Sequence, residues 1–165
     1  MKSRLERPVT RNTLIGVAVA VVVLVGAFVV CVAGLDHRSD ARTAATARDT
    51  VSEQAADAVA AVFSVSEKTW RHDRQAAKTH LADPMSTSLA SALARGPAEG
   101  VISVEWEPQH AATVDIDQDT ATAIVVARVT VTSRRGPPQT ADRTVQTSLR
   151  RVEGRWLVTG MDELR

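Results

Sequence analysis

Leu14 to Leu35, LIGVAVAVVVLVGAFVVCVAGL, is a run of twenty-two residues without a charge. At about 1.5 Å of rise per residue, a helix of that length spans roughly 33 Å. That matches a hydrocarbon core of about 30 Å. A helix also satisfies its own backbone hydrogen bonds, which lipid cannot do for it. The run therefore predicts one membrane-spanning helix over 13–35, and the rest of the chain is sorted to one side or the other.

The flanks give an orientation. Residues 1–12 carry Lys2, Arg4, Arg7 and Arg11 against Glu6, whereas Arg38 and Arg42 alternate with Asp36 and Asp40 beyond the run. The positive excess predicts a cytoplasmic N-terminus and an extracytoplasmic domain from Asp36 onward. A cleaved secretory signal is the competing reading, with Cys31-Val32-Ala33 before Gly34 as a small-residue cleavage site. Val30 before Cys31 argues against lipoprotein processing. Gly16 and Ala20 form a small-xxx-small pair of the kind that seats a partner helix, though Ala/Gly/Val runs produce such pairs by chance.

The single cysteine lies in the span, so the outer domain must be stable without disulfides. Net charge is +1, with both signs interspersed, and there is no Tyr and only two Phe. That excludes the basic face and stacking platforms of a nucleic-acid binder.

Beyond the span, Asp40 to Phe63 reads as a helix, with Val51, Ala55, Val59, Val62 and Phe63 on one face. This divides the chain into a cytoplasmic 1–12, a span 13–35, a helical stalk and first domain helix 36–65, and a remainder 66–165. Ser66 to Leu81 reads as a second helix, capped by Ser66 and with Trp70, Ala77 and Leu81 on its apolar side. Asp83-Pro84 predicts the start of a third, by an Asp cap and a Pro at the first helical position. Met85, Leu89, Ala92 and Leu93 form its stripe, and Gly96-Pro97 ends it.

After Gly100 the period falls to two. Ile102, Val104 and Trp106 share a face, Pro108 predicts a bend or edge, and Ala112, Val114 and Ile116 resume the alternation. Asp117-Gln118-Asp119 is a turn. Ala121, Ala123, Val125, Ala127, Val129 and Val131 are the core face of the next strand. Arg134–Pro138 is a loop. Val145, Thr147 and Leu149 mark a third strand, and Glu153-Gly154 turns into a fourth, Arg155–Thr159, with Trp156 and Val158 inward. Helices first and then a four-stranded antiparallel meander predict an α+β domain with helices packed on a curved sheet.

The terminal segment Leu149-Arg-Arg-Val-Glu-Gly-Arg-Trp-Leu-Val158, with Met161-Asp162 after it as a short acidic tail, completes a recognisable layout. With the basic N-terminus, the span and the Ala-rich helix, the chain resembles the Mce-associated membrane proteins of mycobacteria and related actinobacteria. The resemblance implies an NTF2-like, cone-type domain on a bitopic accessory protein. It also implies protein partners in an Mce-type lipid-import complex, and it carries over no catalytic residue. A similar layout occurs in NTF2-like anchored components of conjugation and type IV secretion machines.

No residue pattern points to catalysis, and no catalytic, cofactor-binding or metal residue is assigned. Asp115, Asp117 and Asp119 have the spacing of a calcium loop, but Thr120 and Val126 stand where that loop needs Gly and Glu. His72 and His80 lie eight apart, whereas ligands on one helix usually lie four apart. His110 falls in the bend after Pro108, as a solvated residue. No carboxylate falls on the apolar strand faces, where an isomerase-like acid would sit. The bilayer is one partner, and a lipid ligand would require an apolar cavity. Trp156 reads as core, Trp70 and Trp106 as candidate rim residues for a partner or lipid, and Arg134-Arg135 as a solvated turn suited to anionic head groups if it faces a membrane.

Overall fold

A computed structural model describes residues 42–164. Among these no helix is long and apolar enough to cross a membrane, and the span predicted over 13–35 lies outside the described residues. The first helix, α1, covers 42–63 and ends where the sequence predicts. Then come β1 (Val65–Ser66), α2 (Trp70–Lys78), α3 (Met85–Leu93), β2 (Val101–Ile116), β3 (Thr120–Ser133), β4 (Gln139–Val152) and β5 (Arg155–Leu164). The strands form one sheet in chain order, with every neighbouring pair antiparallel.

The sheet curls around α1. Thr113 Oγ1 donates to the Arg48 carbonyl at 2.7 Å, and the Trp106 N–H donates to Ser64 Oγ at 3.0 Å. From 48 to 64 a helix rises about 24 Å, and from 106 to 113 a strand advances about 23 Å, so α1 runs beside β2 in step with it. On its other flank α1 meets β5, where the Trp156 N–H donates to Gln54 Oε1 at 2.7 Å. Val51, Ala55, Ala58, Val59 and Val62 are buried against Ala121, Ala123, Val125, Val145, Leu149, Trp156 and Val158. The concave side is thus filled with side chains. Burying one Val or Leu in this way is worth about 1.5–3 kcal/mol.

The sheet has five strands, not the predicted four. The extra one is β1, whose two residues pair with Val104 and Ser103, while the Glu67 N–H donates to the Ile102 carbonyl at 2.8 Å. This ladder commits the backbone that the sequence assigns to the start of the second helix. The helix therefore begins at Trp70 and ends at Lys78, with Ser66 in a strand rather than at a cap. The Asp73 carboxylate instead reaches back to accept from the Ser66 N–H at 3.0 Å and Thr69 Oγ1 at 2.9 Å. At α3 the cap position is held by Pro84, not Asp83. Asp83 still serves this end, because its carboxylate accepts from the hydroxyls of Ser86 and Thr87 and is thereby held below the usual carboxylate range.

Pro108 does not interrupt its strand. β2 runs through it, with register shifts between Pro108 and His110 and again between Thr113 and Asp115. Each shift inserts an extra residue and exchanges the faces. Ala111 is therefore packed toward the core and Val114 is 60% exposed, the reverse of the predicted alternation, and the second shift returns Ile116 inward. β3 has no such shift against β4, and its predicted core face is buried from Ala121 to Val129.

Glu153 and Gly154 both take positive φ, 50° and 81°, at the turn into β5. Such turns match the twist of the flanking strands. β5 then runs to Leu164, so Met161-Asp162 is part of a strand rather than a tail.

Candidate functional site

At the C-terminal end of α1 three segments meet around an open groove of about 930 Å³. Glu67 and Trp70 form one wall, the loop from Gly96 to Val101 a second, and Ser133, Arg134 and Arg135 a third. The sheet order creates the meeting. β1 pairs with the start of β2, and the start of β2 pairs with the end of β3, so residues 67, 101 and 133–135 converge. The Arg134 N–H donates to the Gly100 carbonyl at 2.8 Å, and the Arg134 guanidinium pairs with Glu67 across the groove.

Trp70 opens α2 and is half-buried. A Cβ at Gly96 would lie 3.3 Å from its Cγ, so the loop lies close on the indole and a side chain at residue 96 would require the ring to give by a few tenths of an ångström. The Arg71 guanidinium sits 4.7 Å from the ring centroid, a cation–π contact. Behind the wall, Arg74 donates to the Val62 carbonyl at 2.8 Å and the Arg95 carbonyl at 3.4 Å, tying α1 to the loop after α3. Burial lowers the Arg74 pKa, against the opposing pull of Asp73.

Trp70 and Arg134-Arg135, singled out separately in the sequence, thus share one site. Trp106 does not join them. Its ring stacks on Phe63 with centroids 4.6 Å apart and packs against the core, because its strand faces α1. Trp156 is buried core as predicted.

The remaining candidates stay apart. Asp117 closes the β2–β3 turn through its N–H to the Thr120 carbonyl at 2.8 Å, with its carboxylate accepting from the Gln118 N–H. His72 and His110 are exposed, and His80 lies half-buried past the end of α2. Among the described residues no group of three His, Cys, Asp or Glu side chains could hold a metal ion.

His80 is below its ordinary pKa because burial disfavours its charged form; nearby Asp57 opposes this and Arg155 reinforces it. The His80 carbonyl accepts the Val158 N–H at 2.9 Å, so its backbone holds β5. One carboxylate does share the core-side face of a strand. Glu163 pairs in register with Val145, and its side chain is exposed and bound to Arg143 at 3.0 Å. The sequence reading missed it by ending the last strand at Thr159.

No protein-family model matches the chain. The chain is similar to two Mycobacterium tuberculosis proteins, outer membrane protein Rv1973 of strain H37Rv and outer membrane protein MT2024.1 of strain CDC 1551. Each is 28% identical over 140 residues, covering 81% of this chain and 88% of the relative.

Proposed function

We propose that this chain is a non-enzymatic accessory protein of the mycobacterial-type cell envelope, anchored in the cell membrane by residues 13–35 with its NTF2-like domain outside. In this reading it holds the larger subunits of an Mce-type lipid-import complex in register. The observation that carries the envelope assignment is the similarity to mycobacterial proteins named for the outer membrane, joined to an uncharged run long enough to span a bilayer. The Mce link rests on the resemblance in layout and on the terminal Glu153-Gly154-Arg155-Trp156 segment.

The non-enzymatic reading is supported by where four of the carboxylates are spent. Glu67 is paired with Arg134, Asp83 with two hydroxyls, Asp73 with the β1–α2 turn, and Glu163 with Arg143. The concave side is filled by α1 and its core, which favours a scaffold over a lipid carrier.

A mild-detergent pull-down of the tagged full-length chain from its native host, with mass spectrometry, tests the proposal. The expected result is recovery of Mce proteins and their permease. Recovery of conjugation or secretion components would replace the reading with the anchored type IV component, and recovery of the chain alone would overturn both.

A further inference from the structure

The geometry points to a second site, at the corner of the sheet beside the β2–β3 turn, that binds one unit of a neutral polyhydroxylated ligand, a sugar. This site goes beyond the accessory reading and does not depend on it.

Asp115, Thr122, Ser148 and Gly160 stand side by side on four neighbouring strands. A bulge lies on each side of this row. Val114 is the extra residue between Thr113 and Asp115 in β2, and Thr159 is the extra residue in β5 where β4 steps from Ser148 to Leu149. Bulges recur beside functional sites, where they re-aim a side chain. Between these two lies a pocket of about 220 Å³, lined by the polar residues Asp115, Thr120, Thr122, Ser148, Arg150 and Thr159. The apolar residues of the lining, Ala121 and Leu149, are buried in the core.

The corner is held by bonds that leave its binding groups unspent. The Arg151 N–H donates to the Asp119 carbonyl at 2.9 Å, and Thr159 Oγ1 donates to the Ser148 carbonyl at 3.2 Å across the bulge. Among the described residues, the side chains of Asp115, Thr120, Thr122, Ser148 and Arg150 are committed to no hydrogen bond or ion pair. Farther along β3 and β4 the polar side chains meet one another, Thr130 with Thr140 and Arg128 with Asp142. Gly160 keeps the row open. A Cβ there would stand 3.8 Å from Ser148 Oγ, so a branched side chain would cover that hydroxyl.

Charge and size select the ligand. One carboxylate and one guanidinium balance, so the lining favours neither an anion nor a cation. Four hydroxyls, which both donate and accept, outnumber these two charges. An acceptor-only carboxylate, a donor-only guanidinium and hydroxyls that do both match the adjacent hydroxyls of a sugar. The volume is below the roughly 300–1,000 Å³ of drug-sized ligand pockets, which suits a single ring and leaves an acyl chain without an apolar wall.

The test uses the full-length chain in micelles of a detergent without a sugar head group, followed by amide NMR. Methyl glucoside, methyl galactoside and methyl mannoside are titrated in, with glucuronate, glucosamine and glycine as charged comparisons. At least one neutral sugar is expected to shift the Thr122, Ser148 and Gly160 amides saturably. Gly160→Val and Asp115→Ala are each expected to weaken it at least about tenfold with an unchanged thermal midpoint. Absence of saturable shifts at these amides with every neutral sugar overturns the inference, as do shifts that both variants leave intact. Tighter binding of glucuronate, glucosamine or glycine at the same amides overturns it in favour of a charged ligand.

Discussion

Gln54 and Trp156 are 102 residues apart in the chain, and the side-chain carbonyl of one accepts the main-chain N–H of the other at 2.7 Å. This contact closes the outer edge of β5 against α1, beside the stretch where residues 80–82 close it by main-chain bonds to Val158. Gln54→Leu removes the acceptor and leaves a part-buried N–H unsatisfied. The expected cost is about 1–3 kcal/mol in chemical denaturation, with Gln54→Glu retaining most of the stability.

The Phe63–Trp106 stack joins the end of α1 to the middle of β2. Trp106→Ala is expected to cost about 3 kcal/mol, and a double-mutant cycle with Phe63→Ala to return a coupling of about 0.5–1.5 kcal/mol. A rim role for Trp106 would give a loss near zero instead.

Val114 and Val125 test the exchange of faces in β2. Val114 is 60% exposed and Val125 is 0% exposed. Val114→Ser is expected to change stability by less than about 0.5 kcal/mol, whereas Val125→Ala costs about 2 kcal/mol. Comparable losses would mean that the simple alternation holds.

His80 sets a pH dependence. Its folded pKa lies below the ordinary 6.5, so the unfolded chain binds more protons as pH falls through 6.5. By linkage the stability rises with pH in this window. Full stability from this group is present above 6.5 and is lost progressively as pH drops toward the folded value. Asp57 and Arg155 are the charges that face it. Denaturation midpoints should therefore fall on mild acidification, and His80→Gln should flatten that fall.

Topology gives the broadest test of the proposed anchor. A reporter that works only outside the cytoplasm, fused after Arg165, should be active, and a cytoplasmic reporter at the same place silent.

How far residues alone foretell this fold depends on the regularity of each element. Ala121 to Val129 could be read directly, because β3 pairs with β4 without a slip and its alternating faces keep their phase. β2 could not. Pro108 signals an irregularity but not its kind, and a bulge reverses the faces with no mark in composition. β1 is two residues long, below any periodic signal. Trp70 and Arg134-Arg135 were noticeable by residue type, but their meeting depends on sheet order across more than sixty positions. Gly96 was visible only as a helix stop, and its close approach to the indole is a tertiary fact.

The irregularities of β2 bear on how such a domain associates. Past Val104, β2 has no strand on its outer side among the described residues, which leaves it a long sheet margin. Pro108 removes a donor from that margin, and two bulges twist it out of line. A foreign strand finds no continuous template there. This margin is therefore guarded against strand-by-strand addition of further copies of the chain.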